Sequence, residues 1–225
     1  MILAAGRGER MRPLTDTRPK PLLEVGGKPL IIHLIESLSR CELRNLVINH
    51  AHLGEKLVER LGDGREWGVT IRYSPETRGG LETGGGIHQA LTLLDSDPFV
   101  VVNGDIWTDY PFSMLPRRLR GLAHLVLVDN PAHHPGGDFC LRDDRVSAEG
   151  AVRLTYSGIA VLRHALFQGC RPGKFPLAPL LHEAMDQGLV TGEYYGGSWV
   201  DVGSPQRLEE LRGRVASAPV RKGDG

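Results

Sequence analysis

The first residues of the chain carry groups spaced to hold phosphate. Gly6-Arg-Gly-Glu-Arg10 runs into Met11-Arg-Pro-Leu-Thr15 and then Pro19-Lys-Pro-Leu22. Glycines at 6 and 8 let backbone N–H groups approach an anion that a Cβ would hold away, and Arg10 and Lys20 supply charge-assisted bonds. Two carboxylates offer a different chemistry, Asp105 in Asn103-Gly-Asp105 and Asp201 in Trp199-Val-Asp-Val-Gly203. Magnesium takes hard oxygen ligands and usually binds through one or two carboxylates plus substrate phosphates, so this pair suffices if the fold brings it together. A third segment, Ser74 to Gly86, ends in three glycines against which a flat base can lie. No Ser/His/Asp or Cys/His arrangement stands out for covalent catalysis.

Strands must bring these groups together, and their pattern is legible. Met1 to Ala5, Leu46 to Ile48, Val69 to Tyr73, Phe99 to Val102 and Leu125 to Val128 are apolar runs of strand length. Helical periodicity fills the gaps: Pro29 opens one helix, Leu53 to Leu61 makes a second, and Ile87 to Leu94 a third. Such alternation predicts an α/β fold with parallel strands, helices on both faces and ligands at the strand C-terminal ends. Asp105 then follows a central strand and faces the glycine loop. After Val128 the pattern changes to a loop at Asp129 to Gly137 and short strands near Phe139 and Arg153 to Val161, expected as an antiparallel extension. Leu177 to Gln187 and Pro205 to Val215 predict C-terminal helices, so one domain spans 1–215 and 216–225 forms a flexible tail.

Composition narrows the partners. With 27 Lys+Arg against 27 Asp+Glu in 225 residues, the net charge is zero, and no strong field marks the chain for nucleic acid or an acidic membrane. A small-molecule partner is expected. Three widely spaced cysteines, Cys41, Cys140 and Cys170, form neither a disulfide framework nor a metal pair, which suits a reducing cytosol. No apolar run approaches the roughly 20 residues needed to cross a bilayer. His133 and His134, flanked by proline, read as solvated. His50 and His52 end the second strand, where structural and functional roles stand equal.

Two familiar glycine loops do not fit: a dinucleotide fingerprint needs a third glycine where Met11 stands, and Gly26-Gly27-Lys28 is followed by Pro29, unlike a Walker sequence. The chain instead resembles the sugar-1-phosphate nucleotidyltransferases, whose signature is a strand, then GxGxR, PLT and a downstream PKPL. Leu3 to Thr15 and Pro19 to Leu22 match it in order and spacing, although Glu9 stands where many members carry a small hydroxyl residue. The resemblance implies a Rossmann-like, mixed but mainly parallel sheet flanked by helices with a small antiparallel extension, the GT-A-like nucleotidyltransferase fold. It also implies that Arg10 grips the β- and γ-phosphates and Lys20 the α-phosphate. Leu3, Ala4, Ala5, Gly6 and Gly8 would line the nucleotide, Asn103 would fix the turn beside it, and Asp105 and Asp201 would hold Mg2+.

By position in the family, Glu76 is the reader of the base, with Glu82 an open alternative, and Leu81 to Gly85, Gly84 among them, pack near base and ribose. A carboxylate accepts from uracil N3–H and pairs still better with the two donors of guanine, so Glu76 does not decide the base. The sugar falls to Gly136-Gly137-Asp138-Phe139 and Tyr156-Ser157-Gly158-Ile159. Among short members, Val102 to Tyr110, Ala123 to Pro131 and Leu81 to Gly86 are most similar to bacterial N-acetylmuramate α-1-phosphate uridylyltransferases, cytoplasmic enzymes of peptidoglycan recycling. UTP and N-acetylmuramic acid α-1-phosphate are then the substrates, with the loop from Pro131 to Asp138 and Arg142 or Arg153 meeting the lactyl carboxylate. Mannose-1-phosphate guanylyltransferase, and a nucleotide-sensing domain without chemistry, are the alternatives.

Overall fold

The structure, a computed structural model, describes residues 1–76 and 79–217. Its first half contains β1 (Ile2–Leu3), β2 (Glu24–Val25), β3 (Lys28–Pro29), α1 (Leu30–Arg40), β4 (Asn45–His50), α2 (Gly54–Leu61), β5 (Thr70–Pro75), α3 (Glu82–Ala90), β6 (Phe99–Asn103) and β7 (Ile106–Thr108). The second half contains β8 (Ala123–Val128), β9 (Cys140–Arg142), β10 (Arg145–Ser147), β11 (Thr155–Leu162), α4 (Ala178–Asp186), β12 (Val190–Tyr194), β13 (Trp199–Asp201) and α5 (Pro205–Ser217). Nine strands make one mixed sheet in the order β5-β4-β1-β6-β11-β8-β12-β10-β9, and β7 pairs separately with β13.

From β5 to β6 the sheet is parallel, as the alternating pattern predicts. Its strands read as unbroken apolar runs because both faces are covered. Ile2, Ile48 and Val102 point to the face packed by Ile31, Ile35 and Leu38 of α1. Met1, Val47 and Val101 point to the other, against Ile87, Ala90 and Leu181. A smaller cluster joins Met11, Leu23, Leu30, Val202, Leu208 and Leu211, fixing the end of the phosphate-type loop to α5.

Three expectations change. The strand near Arg153 to Val161 is not peripheral: β11 is eight residues long and lies between β6 and β8, antiparallel to both. Its segment Ile159 to Leu162 is buried, and a bulge between Tyr156 and Ile159 holds Gly158 at φ +80°. The third helix begins at Glu82 rather than Ile87, so Gly84, Gly85 and Gly86 are helical. Glycine costs about 1 kcal/mol against alanine in a helix, which is why the run reads as a loop; close packing against its neighbours makes up the difference. Finally, α5 runs on to Ser217, so Ala216 and Ser217 are helical, while the rest of the expected tail, 218–225, lies outside the described residues. No helix among the described residues is long and apolar enough to cross a membrane.

Candidate active site

Parallel strands that end level put their last residues in a row, and here the row is Asn49, Leu3 and Asn103, paired as direct neighbours across β4, β1 and β6. The chain that continues from these ends builds a cleft of about 340 Å³ lined by Leu3, Ala4, Ala5, Gly6, Lys20, Asn49, Glu76, Glu82, Asn103 and Asp105. A second hollow of about 430 Å³ shares Gly6, Lys20 and Asp105 with it and adds Gly8, Arg10 and Gly203. Residues expected to bind nucleoside and those expected to bind phosphates therefore meet at Lys20 and Asp105.

The loop after β1 owes its shape to Gly8. Its φ is +65°, and a Cβ there would sit 3.0 Å from Thr15 Cγ2 and 3.3 Å from Lys20 Cβ. Gly8 carbonyl oxygen accepts from Met11 N–H and from Thr15 Oγ1, each at 2.8 Å, which closes the turn over Lys20. Lys20 is buried, and its Nζ donates to Asp105 Oδ2 at 2.5 Å. A buried ammonium without an acid partner would be costly, so each group holds the other in place. Arg10 is exposed and has no ion-pair partner among the described residues. Glu9, the departure from the family pattern, turns to Arg7 at 3.5 Å in an exposed pair.

Behind the base side of the cleft lies a network the sequence reading missed. Asn49, 3 % exposed, accepts Ala4 N–H through Oδ1 at 2.8 Å and donates through Nδ2 to Glu76 Oε1 at 2.6 Å. Glu76 Oε2 accepts Leu81 N–H at 2.7 Å. Glu76 thus ties β4, β1 and the start of α3 together while still facing the cleft. Glu82 lies on the cleft wall 3.7 Å from Lys174, another lining residue that was not anticipated. Gly84 does not reach the cleft: it is buried, and a Cβ there would lie 2.6 Å from the Phe175 ring. Leu81 serves through its backbone N–H. Thr77 and Arg78 of this segment lie outside the described residues.

Strand pairing brings the backbones of Asp105 and Asp201 together. In the β7–β13 ladder Asp201 stands opposite Ile106, the neighbour of Asp105, and Val202 N–H donates to Asp105 O at 2.9 Å. Gly104 is needed at the turn, because a Cβ there would sit 2.8 Å from Leu3 O. Asp105 keeps Oδ1 outside its bond to Lys20, whereas both oxygens of Asp201 accept from Arg207 Nη1, at 2.5 and 2.6 Å. Asp105 lines both loop hollows, whereas Asp201 lines a separate hollow beside α5; hard carboxylate oxygens are the donor type that magnesium takes.

The expected sugar residues divide. Gly158 abuts the cleft, since a Cβ would meet Asn103 Nδ2 at 2.5 Å. Ser157 is 1 % exposed and its hydroxyl is engaged, donating to Val126 O and accepting Ile159 N–H, so it shapes the bulge rather than meeting a ligand. Asp138 is likewise occupied, by Tyr156 N–H at 2.8 Å and His134 at 3.0 Å. Gly137, at φ +59°, lets that loop pass Arg153. His133 is not simply solvated: its Nε2 lies 3.1 Å from Asp201 Oδ1, a contact made when the loop folds back on β13. His50 packs over Gly54, where a Cβ would be 1.9 Å from its Nδ1, and burial lowers its pKa.

The chain belongs to the nucleotidyl transferase family, whose model matches residues 1–136. It is 51% identical over 223 residues to the N-acetylmuramate alpha-1-phosphate uridylyltransferase of Neisseria meningitidis serogroup B, covering 94% of this chain and 96% of that one. Similarity to the mannose-1-phosphate guanyltransferase of Yarrowia lipolytica is partial, 42% identity over 118 residues, 51% of this chain and 32% of the other. The inositol-1-phosphate CTP transferase of T. maritima shares the fold with a TM-score of 0.76 at 19% identity, over 96% of this chain and 95% of that structure.

Proposed function

We propose that this chain, acting as a single cytoplasmic catalytic domain, transfers the uridylyl group of UTP to N-acetylmuramic acid α-1-phosphate and releases pyrophosphate, in peptidoglycan recycling. One observation carries the reaction type: a nucleoside-sized cleft and a phosphate-type hollow share Lys20 and Asp105 at their junction. Near-full-length similarity to the meningococcal uridylyltransferase supports the choice of base and sugar.

The sugar phosphate oxygen forms a bond to the α-phosphorus as the bond to the leaving pyrophosphate breaks. That phosphate is already an anion at neutral pH, so the chain need supply no general base and no nucleophile. Leu3 to Gly6 hold the nucleoside, Glu76 faces the base, Lys20 neutralises the α-phosphate and Arg10 the departing pyrophosphate. Charge that develops in the transition state then meets cations already in place, which favours it over the ground state. Asp105 and Asp201 would hold magnesium, which when bound would add neutralisation of the reacting phosphates. Gly158 and the loop from Pro131 to Gly137 border the sugar.

Pyrophosphate release, measured over a matrix of nucleoside triphosphates and sugar 1-phosphates, tests the reading. Turnover confined to UTP with the muramic substrate is expected. Since a carboxylate at Glu76 also suits guanine, GTP with mannose 1-phosphate is the second reading, and activity there alone would replace the first. Release from no pair would favour a nucleotide sensor, against which the retention of Arg10, Lys20, Asp105 and Asp201 argues.

A further inference from the structure

Both carboxylates of the metal reading already carry a cation, but not in the same way. Lys20 engages one oxygen of Asp105 and leaves Oδ1 open. Arg207 engages both oxygens of Asp201, at 2.5 and 2.6 Å. A divalent ion therefore meets a free oxygen on Asp105, whereas on Asp201 both oxygens already accept from the guanidinium, whose charge opposes a second cation there.

The surroundings are built to keep that guanidinium there. Arg207 roots in the first turn of α5, its N–H 3.3 Å from Ser204 Oγ, and its side chain is 15% exposed. His133 joins the pair, its Nε2 2.5 Å from Arg207 Nη1 and 3.1 Å from Asp201 Oδ1. Gly203 completes the arrangement. It is not among the glycines with positive φ, so turn geometry does not demand it; a Cβ there would lie 2.0 Å from Arg207 Nη2 and 3.1 Å from Asp201 Oδ2. The glycine of Trp199-Val-Asp-Val-Gly203 is there to let the arginine cross. Asp201, Arg207 and His133 line one side of a hollow of about 500 Å³ that Trp199, Gln206 and Glu210 extend.

We propose that Arg207 is an exchangeable counter-ion: it neutralises Asp201 while no divalent ion is present and withdraws into the adjoining hollow when one binds. The inference rests on the metal reading of Asp105 and Asp201. While in place, the arginine screens Asp201 from Asp105 and holds its carboxylate in register. It also lowers the standing affinity for a bare cation, so the ion is taken up chiefly with the triphosphate that brings its own negative charge. Arg207 is in this sense a positioning residue.

The test is Mn2+ binding, followed by the electron paramagnetic resonance signal of free Mn2+, in wild type, R207Q, D201N and the double variant. R207Q should bind Mn2+ alone about tenfold more tightly than wild type, roughly the effect of one charge-assisted hydrogen bond relieved. The double variant should bind no better than D201N, because the gain acts through that carboxylate. Affinity in R207Q equal to or below wild type, with D201N weakened, refutes the counter-ion and leaves the metal reading standing. If D105N and D201N both bind Mn2+ with UTP as wild type does, the metal reading itself fails. Should R207Q not fold by circular dichroism, R207M, which keeps the length of the side chain and removes its charge, should tighten Mn2+ likewise, and no tightening there overturns the proposal.

Discussion

Replacing Gly86 by alanine sets two forces against each other. Gly86 is interior to α3, and removing a glycine from a helix interior is worth about 1 kcal/mol of stability. A Cβ at this position, however, would lie 2.4 Å from Glu76 Oε1 and 2.9 Å from Asn49 Nδ2. The carboxylate cannot step aside freely, because Asn49 holds one oxygen and Leu81 N–H the other. Hydrogen bonds to a charged group contribute about 1.5–3 kcal/mol each, so losing both costs about 3–6 kcal/mol against a gain of about 1. The net expectation is a loss of about 2–5 kcal/mol, toward the lower end because the bonds are only partly buried. Gly213 provides the control: it is interior to α5 and a Cβ there meets nothing within 4 Å, so Gly213→Ala should stabilise by up to about 1 kcal/mol. Denaturant unfolding of both variants measures the difference, and the Michaelis constant for UTP should rise in Gly86→Ala alone. If the two alanines stabilise equally, the Asn49–Glu76 network does not hold the cleft.

Asp105→Asn and Asp201→Asn should each remove most turnover with the fold intact, and the double variant should be little worse than either single one, since two ligands of one ion act as a unit; normal turnover in Asp201→Asn ends that assignment. Lys20→Ala should lower kcat, whereas Arg10→Ala should weaken triphosphate binding as well, and Arg10→Lys should not restore it because an ammonium lacks the bidentate fork; single-turnover and steady-state kinetics separate these. His124 is half buried, with Nδ1 on Thr191 Oγ1 at 2.9 Å and Nε2 without a partner among the described residues, and burial lowers its pKa. A depressed histidine pKa means the unfolded chain takes up the proton first, so stability should fall as pH drops below about 6.5. His124→Gln should flatten that slope in thermal melts between pH 7.5 and 5, and an unchanged slope would exclude His124 as its source.

Much of this molecule was legible because local pattern and tertiary demand agree. The parallel strands are apolar throughout, α1 has a single apolar face, and the loop from Gly6 to Lys20 carries its chemistry in consecutive residues. The misreadings occur where distant packing overrides local preference. Gly84 to Gly86 look like a loop because glycine disfavours helix, yet each is crowded by a neighbour from another segment: the Phe175 ring, Gly173 O and Glu76 Oε1. β11 reads as an appendage because a long excursion separates it from β8, although its run Ile159 to Leu162 is buried as in a central strand. Asn49 could have been found as a polar residue closing an apolar strand at the ligand edge. Arg207 gave no such signal: its significance comes from Asp201 and His133, which only the fold brings to it.

The pairing of β7 with β13 also dictates when activity can begin. Thr108 donates to Ser198 O across 90 residues, and the same ladder delivers Asp201 to Asp105. During synthesis, the four parallel strands are complete in sequence by Asn103, but Lys174 of the cleft wall and the strand that carries Asp201 have not yet been made. At about 5–20 residues per second, the nascent chain spends roughly 5–20 s with its parallel strands made and β13 still to come. On the proposed metal reading, ribosome-bound intermediates of this length are expected to be inactive until β13 pairs with β7.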